Sequence, residues 1–430
     1  MIFAVPALLK VLIVFALVLV INRVGLQLGL SLILGAILMA LWFEHSIVNT
    51  FLITWKGGTN IETILLLVVI WQILALTLLM RETGMMKRMI TSVRGIVPSR
   101  RAALAILPAM IGFLPMPGGA AVSAPMVDAA DEDNHIDPLQ KTAVNYWFRH
   151  SWEYWWPLYP GVLVALDMIQ ERFDIELWQF ASIQMPLTIF SVSFGALFLL
   201  LPMKFGPKRE LPKGKISELI MTLLPIFILI IFWQLAAQVT NPIYKSKYLP
   251  MIIGLLFGIG WVHYYGKASN ETWKMIVKRK KTYLLLVVVI GVKVFSAALE
   301  TPLPEGGGIV NQVQENLNAL NVPELLVVMI IPFISGMVTG LAVGFVGVSF
   351  PIVLPLIASG ADTGQIMSTV VLAYGFGYVG MMLSPVHVCF VVTNEYFKTQ
   401  MLRAYAKLWG PALGVLLGAG IMSWLATKIY

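Results

Sequence analysis

A cluster of ionisable side chains stands inside one apolar run. In residues 145–168, NYWFRHSWEYWWPLYPGVLVALDM, Arg149, His150 and Glu153 are surrounded by aromatic and aliphatic neighbours. A charge taken to the middle of a bilayer costs about 3 kcal/mol on insertion scales, so such residues have to neutralise one another or bind something. Arg149 and Glu153 are four residues apart, share a helical face, and can form a purely structural pair. The functional alternative is that Arg149 takes the carboxylate of a substrate while Glu153 or His150 takes a proton or helps bind a cation. His387 follows Ser384-Pro385 in a second apolar run. An imidazole titrates near physiological pH, which suits His387 to carrying a proton, although hydrogen-bonded packing is its plainer role. The aromatic residues clustered between 146 and 159 suit an interfacial belt or a cavity wall.

Two further stretches share one grain, residues 107–127 (LPAMIGFLPMPGGAAVSAPMV) and 331–356 (IPFISGMVTGLAVGFVGVSFPIVLPL). Overlaid, they bring Gly118 onto Gly344, Ser123 onto Ser349 and Pro125 onto Pro351. Each apolar arm is far shorter than the roughly 20 residues that span a bilayer, so each stretch reads as a helical hairpin that enters the membrane and turns back. Bare backbone at that depth is tolerated where it is buried in protein or lines a cavity, and paired broken segments mark a transporter's binding site. Helix ends at a hairpin tip offer free amides and partial positive charge to an anion. The expected substrate contacts are therefore Pro117, Gly118, Gly119 and Ser123 at the first tip, Gly344, Gly347 and Ser349 at the second, and Arg149 and Ser384. His150, Glu153 and His387 are the expected sites for a coupling ion or proton. The competing reading of the small residues is close helix packing.

Hydrophobic residues make up 58% and charged residues 12% of the 430 positions, the composition of an integral membrane protein. The net charge of +8 lies in short loops between apolar runs, the pattern of the positive-inside rule rather than of a nucleic-acid surface. The single Cys389 forms no internal disulfide, and none of the five histidines has the spacing of a paired-histidine metal motif. No GxxxxGK[ST] loop is present. The sequence thus gives no catalytic residue, metal site or cofactor beyond a coupling Na+ or H+, and is not read as an enzyme or a primary pump.

In chain order, residues 1–202 read as a first repeat: scaffold spans within 1–80, an interfacial helix 81–101, a hairpin 102–130, a helix broken by Pro157 and Pro160 at 145–168, and a span 178–201. The first span, 5–22, lacks a small-residue cleavage site and reads as a retained helix. A basic cytoplasmic linker occupies 203–217. Residues 218–430 repeat the plan with scaffold spans in 218–299, an acidic outer loop 300–324, a hairpin 324–359, a broken helix 366–388 and a span 402–428. The basic stretches 81–101, 203–217 and 265–281, placed inside, put both termini outside and orient the halves oppositely. The fold class is an all-α polytopic membrane protein, an inverted repeat of about 10 transmembrane helices plus two re-entrant hairpins.

The span order and the motifs GFLPMPGGAAVSAP, NYWFRHSWEYWWPLYPG and GMMLSPVHVC resemble the DUF401 family of prokaryotic membrane proteins, within the ion transporter superfamily. The resemblance implies a homodimer with a fixed scaffold and a transport domain that moves elevator-fashion. Members of the superfamily carry gluconate, citrate, C4-dicarboxylates or arsenite, or exchange sodium for protons. The dicarboxylate branch has a Ser-Asn-Thr triplet at both hairpin tips; this chain has neither. The resemblance and the residues together lead to the expectation of a secondary transporter of the cell membrane, with a small organic anion (a carboxylate or sugar acid) as its partner beside the lipid bilayer, coupled to Na+ or H+. A cation/proton antiporter or an inorganic oxyanion exporter is the alternative. Antiporters of the known sort need paired core carboxylates, whereas Glu153 stands nearly alone.

Overall fold

The computed structural model describes residues 5–97, 99–116, 118–131, 135–203, 216–240, 246–358 and 360–430. Pro117 and most of the linker 203–217 lie outside the described residues. The described chain is helical throughout, without strands. Its first half contains α1 (Ala7–Arg23), α2 (Leu28–Trp42), α3 (Ile47–Thr59), α4 (Ile61–Glu82), α5 (Met85–Arg94), α6 (Arg100–Gly112), α7 (Ala120–Ala130), α8 (Pro138–Arg149), α9 (Pro160–Arg172) and α10 (Leu177–Gly195), the last prolonged by a π turn to Leu200. The second half contains α11 (Ile216–Thr240), α12 (Leu249–Gly266), α13 (Asn270–Val277), α14 (Lys280–Glu300), α15 (Ile309–Ala319), α16 (Glu324–Thr339), α17 (Ala342–Val353), α18 (Thr363–Met382), α19 (Val388–Tyr396) and α20 (Met401–Ile429).

Each half holds ten of the described α-helices, and several contacts between the halves come in reciprocal pairs. α2 packs on α14 as α12 does on α4, α5 on α11 as α15 on α1, and α9 on α17 as α19 on α7. Paired exchanges of this kind are what a two-fold relation between the halves produces. Close approach makes some of them possible: a Cβ on Gly29 of α2 would stand 2.2 Å from the Val287 carbonyl oxygen of α14, so only glycine lets these backbones touch.

Local signals set the ends. Ser46 and Ser99 accept the amides of Asn49 and Ala102 at the starts of α3 and α6, and Asp362 with Gln365 forms a reciprocal capping box on α18. Among the described residues, seven helices, α4, α10 with its π turn, α11, α12, α14, α18 and α20, are long and apolar enough to cross a membrane. The expected span at 5–22 and the scaffold helix after it are helices of 17 and 15 residues, α1 and α2. α11 exposes Ile220, Phe227, Ile231 and Leu235, and α20 exposes Trp409, Leu413, Leu417 and Trp424, as lipid-facing helices do. α18 is buried over almost its whole length.

Several boundaries differ from the sequence expectation. The first broken helix runs from Pro138 to Arg172, because Asp137-Pro138 starts it about two turns earlier than the apolar run does. Its partner is interrupted at residues 383–387 and continues to Tyr396. The outer loop 300–324 contains α15, bent by 117° against α16. Ile309, Val313 and Leu317 form a buried stripe at four-residue spacing that its glutamates conceal in the composition. α3 and α13 are likewise absent from the sequence reading.

One buried charge cluster also escaped that reading. Lys293 of α14 is 2.8 Å from Asp167 Oδ2 of α9 and also pairs with Glu171, while Tyr248 donates its hydroxyl to Asp167 and Lys247 stands 3.7 Å away. A lone lysine in the apolar run LLLVVVIGVKVF was the available signal. Lys293→Met should lower stability by about 3–5 kcal/mol, since it strands a buried carboxylate. Adding Asp167→Asn should restore most of the melting temperature in detergent, and an equally unstable double variant would show that the pair is not what the site requires.

Candidate functional site

Four helices begin at one place. α7 starts after Gly118-Gly119, α9 at Pro160, α17 at Ala342 and α19 at Val388, and none of the four N-termini is capped by a side chain. Backbone chemistry puts the breaks there. Pro157 and Pro160 cannot continue α8, Pro385 cannot continue α18, and Gly118 and Gly340 turn the two hairpins at φ +74° and +62°. The starts of α9 and α17 abut so closely that a Cβ on Gly161 would lie 2.6 Å from Ala342 Cβ.

Between them lies a cavity of about 150 Å³, lined by Gly118, Tyr159 to Gly161, Gly340 to Val343 and His387 to Cys389, with Arg149, His150 and Glu153. Leu74, Met116, Leu285 and Met381 supply apolar wall. The lining thus draws on both halves of the chain.

Arg149 ends α8 and is 2% exposed. Its Nη2 donates to the Met116 carbonyl at 2.7 Å, its Nη1 is 3.4 Å from Glu153 Oε1, and its Nε has no partner among the described residues. The guanidinium therefore holds the first tip and keeps donor capacity in reserve. Tyrosines fix the break after α8. Tyr378 and Tyr374 of α18 donate to the His150 and Glu153 carbonyls at 2.6 and 2.7 Å, Tyr146 donates to the Met382 carbonyl at 2.8 Å, and Tyr159 donates to Gly112. Tyr146, Trp147 and Tyr154 are buried rather than belt-forming.

The two histidines meet. His150 Nδ1 is 2.6 Å from the Tyr146 carbonyl, which only accepts, so Nδ1 carries a hydrogen. In neutral His150, Nε2 is then a lone pair, and it accepts from His387 Nε2 at 3.1 Å. This leaves His387 Nδ1 as a buried acceptor without a partner among the described residues. Cys389 stands beside them: its sulfur and one nitrogen from each imidazole lie within 4.8 Å of one another.

Of the other residues singled out in the sequence, Gly119 packs on the Arg149 guanidinium, where a Cβ would meet Nη2 at 2.6 Å. Ser123 is buried and faces the Gly119 and Ala120 carbonyls of its own helix. Gly344 and Gly347 pack against Thr339 and Val292, Ser349 donates to Phe345 at 2.6 Å, and Ser384 ties its break to the Met337 carbonyl at 2.7 Å. Gly344, Gly347 and Ser349 thus sit about one, two and two and a half helical turns beyond the second tip at Gly340. Gly340, with its left-handed backbone, is the residue that occupies the place of Gly118. The sequence overlay matched Gly-Ser-Pro patterns within the helices and so set the tip too late. Cys389, Gly340, Tyr374 and Tyr378 were not assigned roles.

The profile described as "Protein of unknown function (DUF401)" matches residues 7–429. The chain belongs to the DUF401 family. No curated protein matches the sequence. Among solved structures, the crystal structure of the Alcanivorax borkumensis YdaH transporter, reported to have an unusual topology, is similar over 90% of each chain, with a TM-score of 0.60 and 13% identity. At that identity the likeness is one of fold, and this DUF401 protein has a transporter-like, multi-pass helical fold.

Two glycines that brace Arg149 give a contrasting pair. A Cβ on Gly112 would lie 1.7 Å from the Arg149 carbonyl oxygen, backbone that cannot move alone, whereas at Gly119 it meets the end of a side chain. Gly112→Ala should destabilise by about 1–3 kcal/mol or more, and Gly119→Ala by clearly less. Thermal melting that ranks them the other way would contradict this placement of Arg149.

Proposed function

We propose that this DUF401 protein is a secondary active transporter that moves a small organic anion across the cell membrane by alternating access. The observation that carries this reading is the convergence of four uncapped helix N-termini and the buried Arg149 on one cavity, against the single carboxylate of Glu153. Free amides and helix dipoles hold negative charge without formal cations, and Arg149 adds one.

The cavity's size and wall narrow the substrate. About 150 Å³ corresponds to roughly five waters at about 30 Å³ each. Apart from Tyr159, the lining carries no hydroxyl or amide side chain. A short-chain carboxylate suits it better than a polyhydroxylated sugar acid. An inorganic oxyanion of similar size is the second reading, and the same smallness favours it. The lone Glu153 speaks against cation/proton antiport.

Reciprocal packing of the halves supports an inverted repeat rocking or sliding about this site, with about ten crossings and both termini outside. Elevator movement, a homodimer, and coupling to Na+ or H+ through His150, Glu153 and His387 complete the reading by resemblance to the ion transporter superfamily.

Thermal-shift titration of the purified protein tests it. Formate, acetate, propionate and inorganic oxyanions should stabilise the wild type, by about 2.7 kcal/mol at a hundredfold excess over Kd. Arg149→Met with Glu153→Gln removes both charges together, should fold, and should lose the effect. Undiminished anion stabilisation in that double variant would remove Arg149 from binding, and stabilisation by sodium alone would overturn the anion reading.

A further inference from the structure

His150, His387 and Cys389 come from breaks in two different helices, α8–α9 and α18–α19, in opposite halves of the chain. All three are buried, and His387 and Cys389 are the residues just before and second within α19. Their ligand atoms lie within 4.8 Å of one another, and the two Nε2 atoms are 3.1 Å apart. A tetrahedral ion with arms of about 2.0–2.1 Å to nitrogen separates its ligand atoms by roughly 3.3–3.4 Å, so the imidazoles need to part by only a few tenths of an ångström.

We propose that these three residues bind one thiophilic metal ion, Zn2+ or Cu+, at the wall of the cavity. Imidazole and thiolate select such ions over Mg2+ or Ca2+, which require oxygen ligands. His150 already points a lone pair from Nε2 into the site, because its Nδ1–H is held by the Tyr146 carbonyl at 2.6 Å. That outer contact fixes the ligating tautomer, as in established metal sites. His387 turns ligand by moving its hydrogen from Nε2 to Nδ1, the buried atom left without a partner. Cys389 gives up its thiol proton to solvent on binding the ion, since the thiolate is the form that ligates. Glu153 lies beside this set, with Oε1 3.9 Å from His150 Nε2. Arg149 and Glu153 already cancel in charge, so one thiolate neutralises Cu+ in full. Zn2+ keeps one positive charge, which an anion in the cavity can meet.

Sequence spacing conceals this set, since His150 and His387 are separated by 237 residues and neither belongs to a paired motif. The proposal is also independent of transport, because occupancy can be read directly.

The test uses full-length protein in detergent, stripped with a chelator and titrated with Co2+ as a spectroscopic stand-in for Zn2+, then with Zn2+ in competition. Cu+ is titrated separately against a colorimetric chelator. One ion per chain should bind, with the sulfur-to-cobalt charge-transfer and intense ligand-field bands of a tetrahedral thiolate site. Cys389→Ser and His387→Gln should each weaken binding by at least about tenfold, while His263→Gln, at the α12 end, should bind as the wild type does. Absence of the sulfur-to-cobalt band in the wild type overturns the proposal whatever the variants do. So does unchanged affinity in both ligand variants. Anion stabilisation measured in chelator is a separate readout, so failure of the metal site and failure of the anion site are told apart.

Discussion

Helix ends inside a membrane are the constraint on which the rest of this structure depends. Each start leaves backbone amides without intrahelical partners, and lipid offers none. This chain breaks four helices and brings their starts to one cavity, so that the amides left without intrahelical partners at the starts of α9, α17 and α19 border the cavity rather than hydrocarbon. That arrangement would be self-repelling without something negative among the dipoles. Glu153 supplies part of it, and the position of Arg149 shows that the part is already spoken for, since the two side chains are 3.4 Å apart. An anion is the ligand we propose for the remaining field.

Holding such a cavity open takes rigid neighbours. Tyr374 and Tyr378 bind the carbonyls at the end of α8 to the buried α18, and Ser384 binds the second break to the second hairpin. Each break is thus fastened to the other half of the chain or to its own hairpin by a hydroxyl that satisfies a carbonyl freed by the break. On the far side of α9, Asp167, Lys293 and Tyr248 provide a second polar anchor, this time to α14 and α12. Among the described residues of the cavity wall, Arg149 Nε and His387 Nδ1 are the buried side-chain nitrogens or oxygens left without a partner.

The broad architecture was legible from apolar run lengths, basic loops and prolines, because those signals are local. The breaks near Pro157 and Pro385 and the existence of two hairpins belong to that class. What was not legible depends on distant partners. The overlay of the hairpins aligned Gly118 with Gly344, yet the turn is made by Gly340, whose left-handed backbone no pattern of small residues distinguishes from packing glycines. The charges of Asp167 and Lys293 find each other across 126 residues, and the two imidazoles across 237. α15 was hidden because its apolar stripe is only three residues wide. The reserve donor on Arg149 was invisible for another reason: its partners are a backbone carbonyl and one carboxylate, and only geometry counts what is left over.

Counterflow in proteoliposomes tests the central claim, an anion held at the convergence of the four helix starts, most directly. Vesicles loaded with unlabelled acetate or propionate and diluted into a trace of the labelled acid should accumulate label transiently, and vesicles without the protein should not. Label uptake driven by no short carboxylate or oxyanion, together with exchange of labelled sodium against protons, would contradict it.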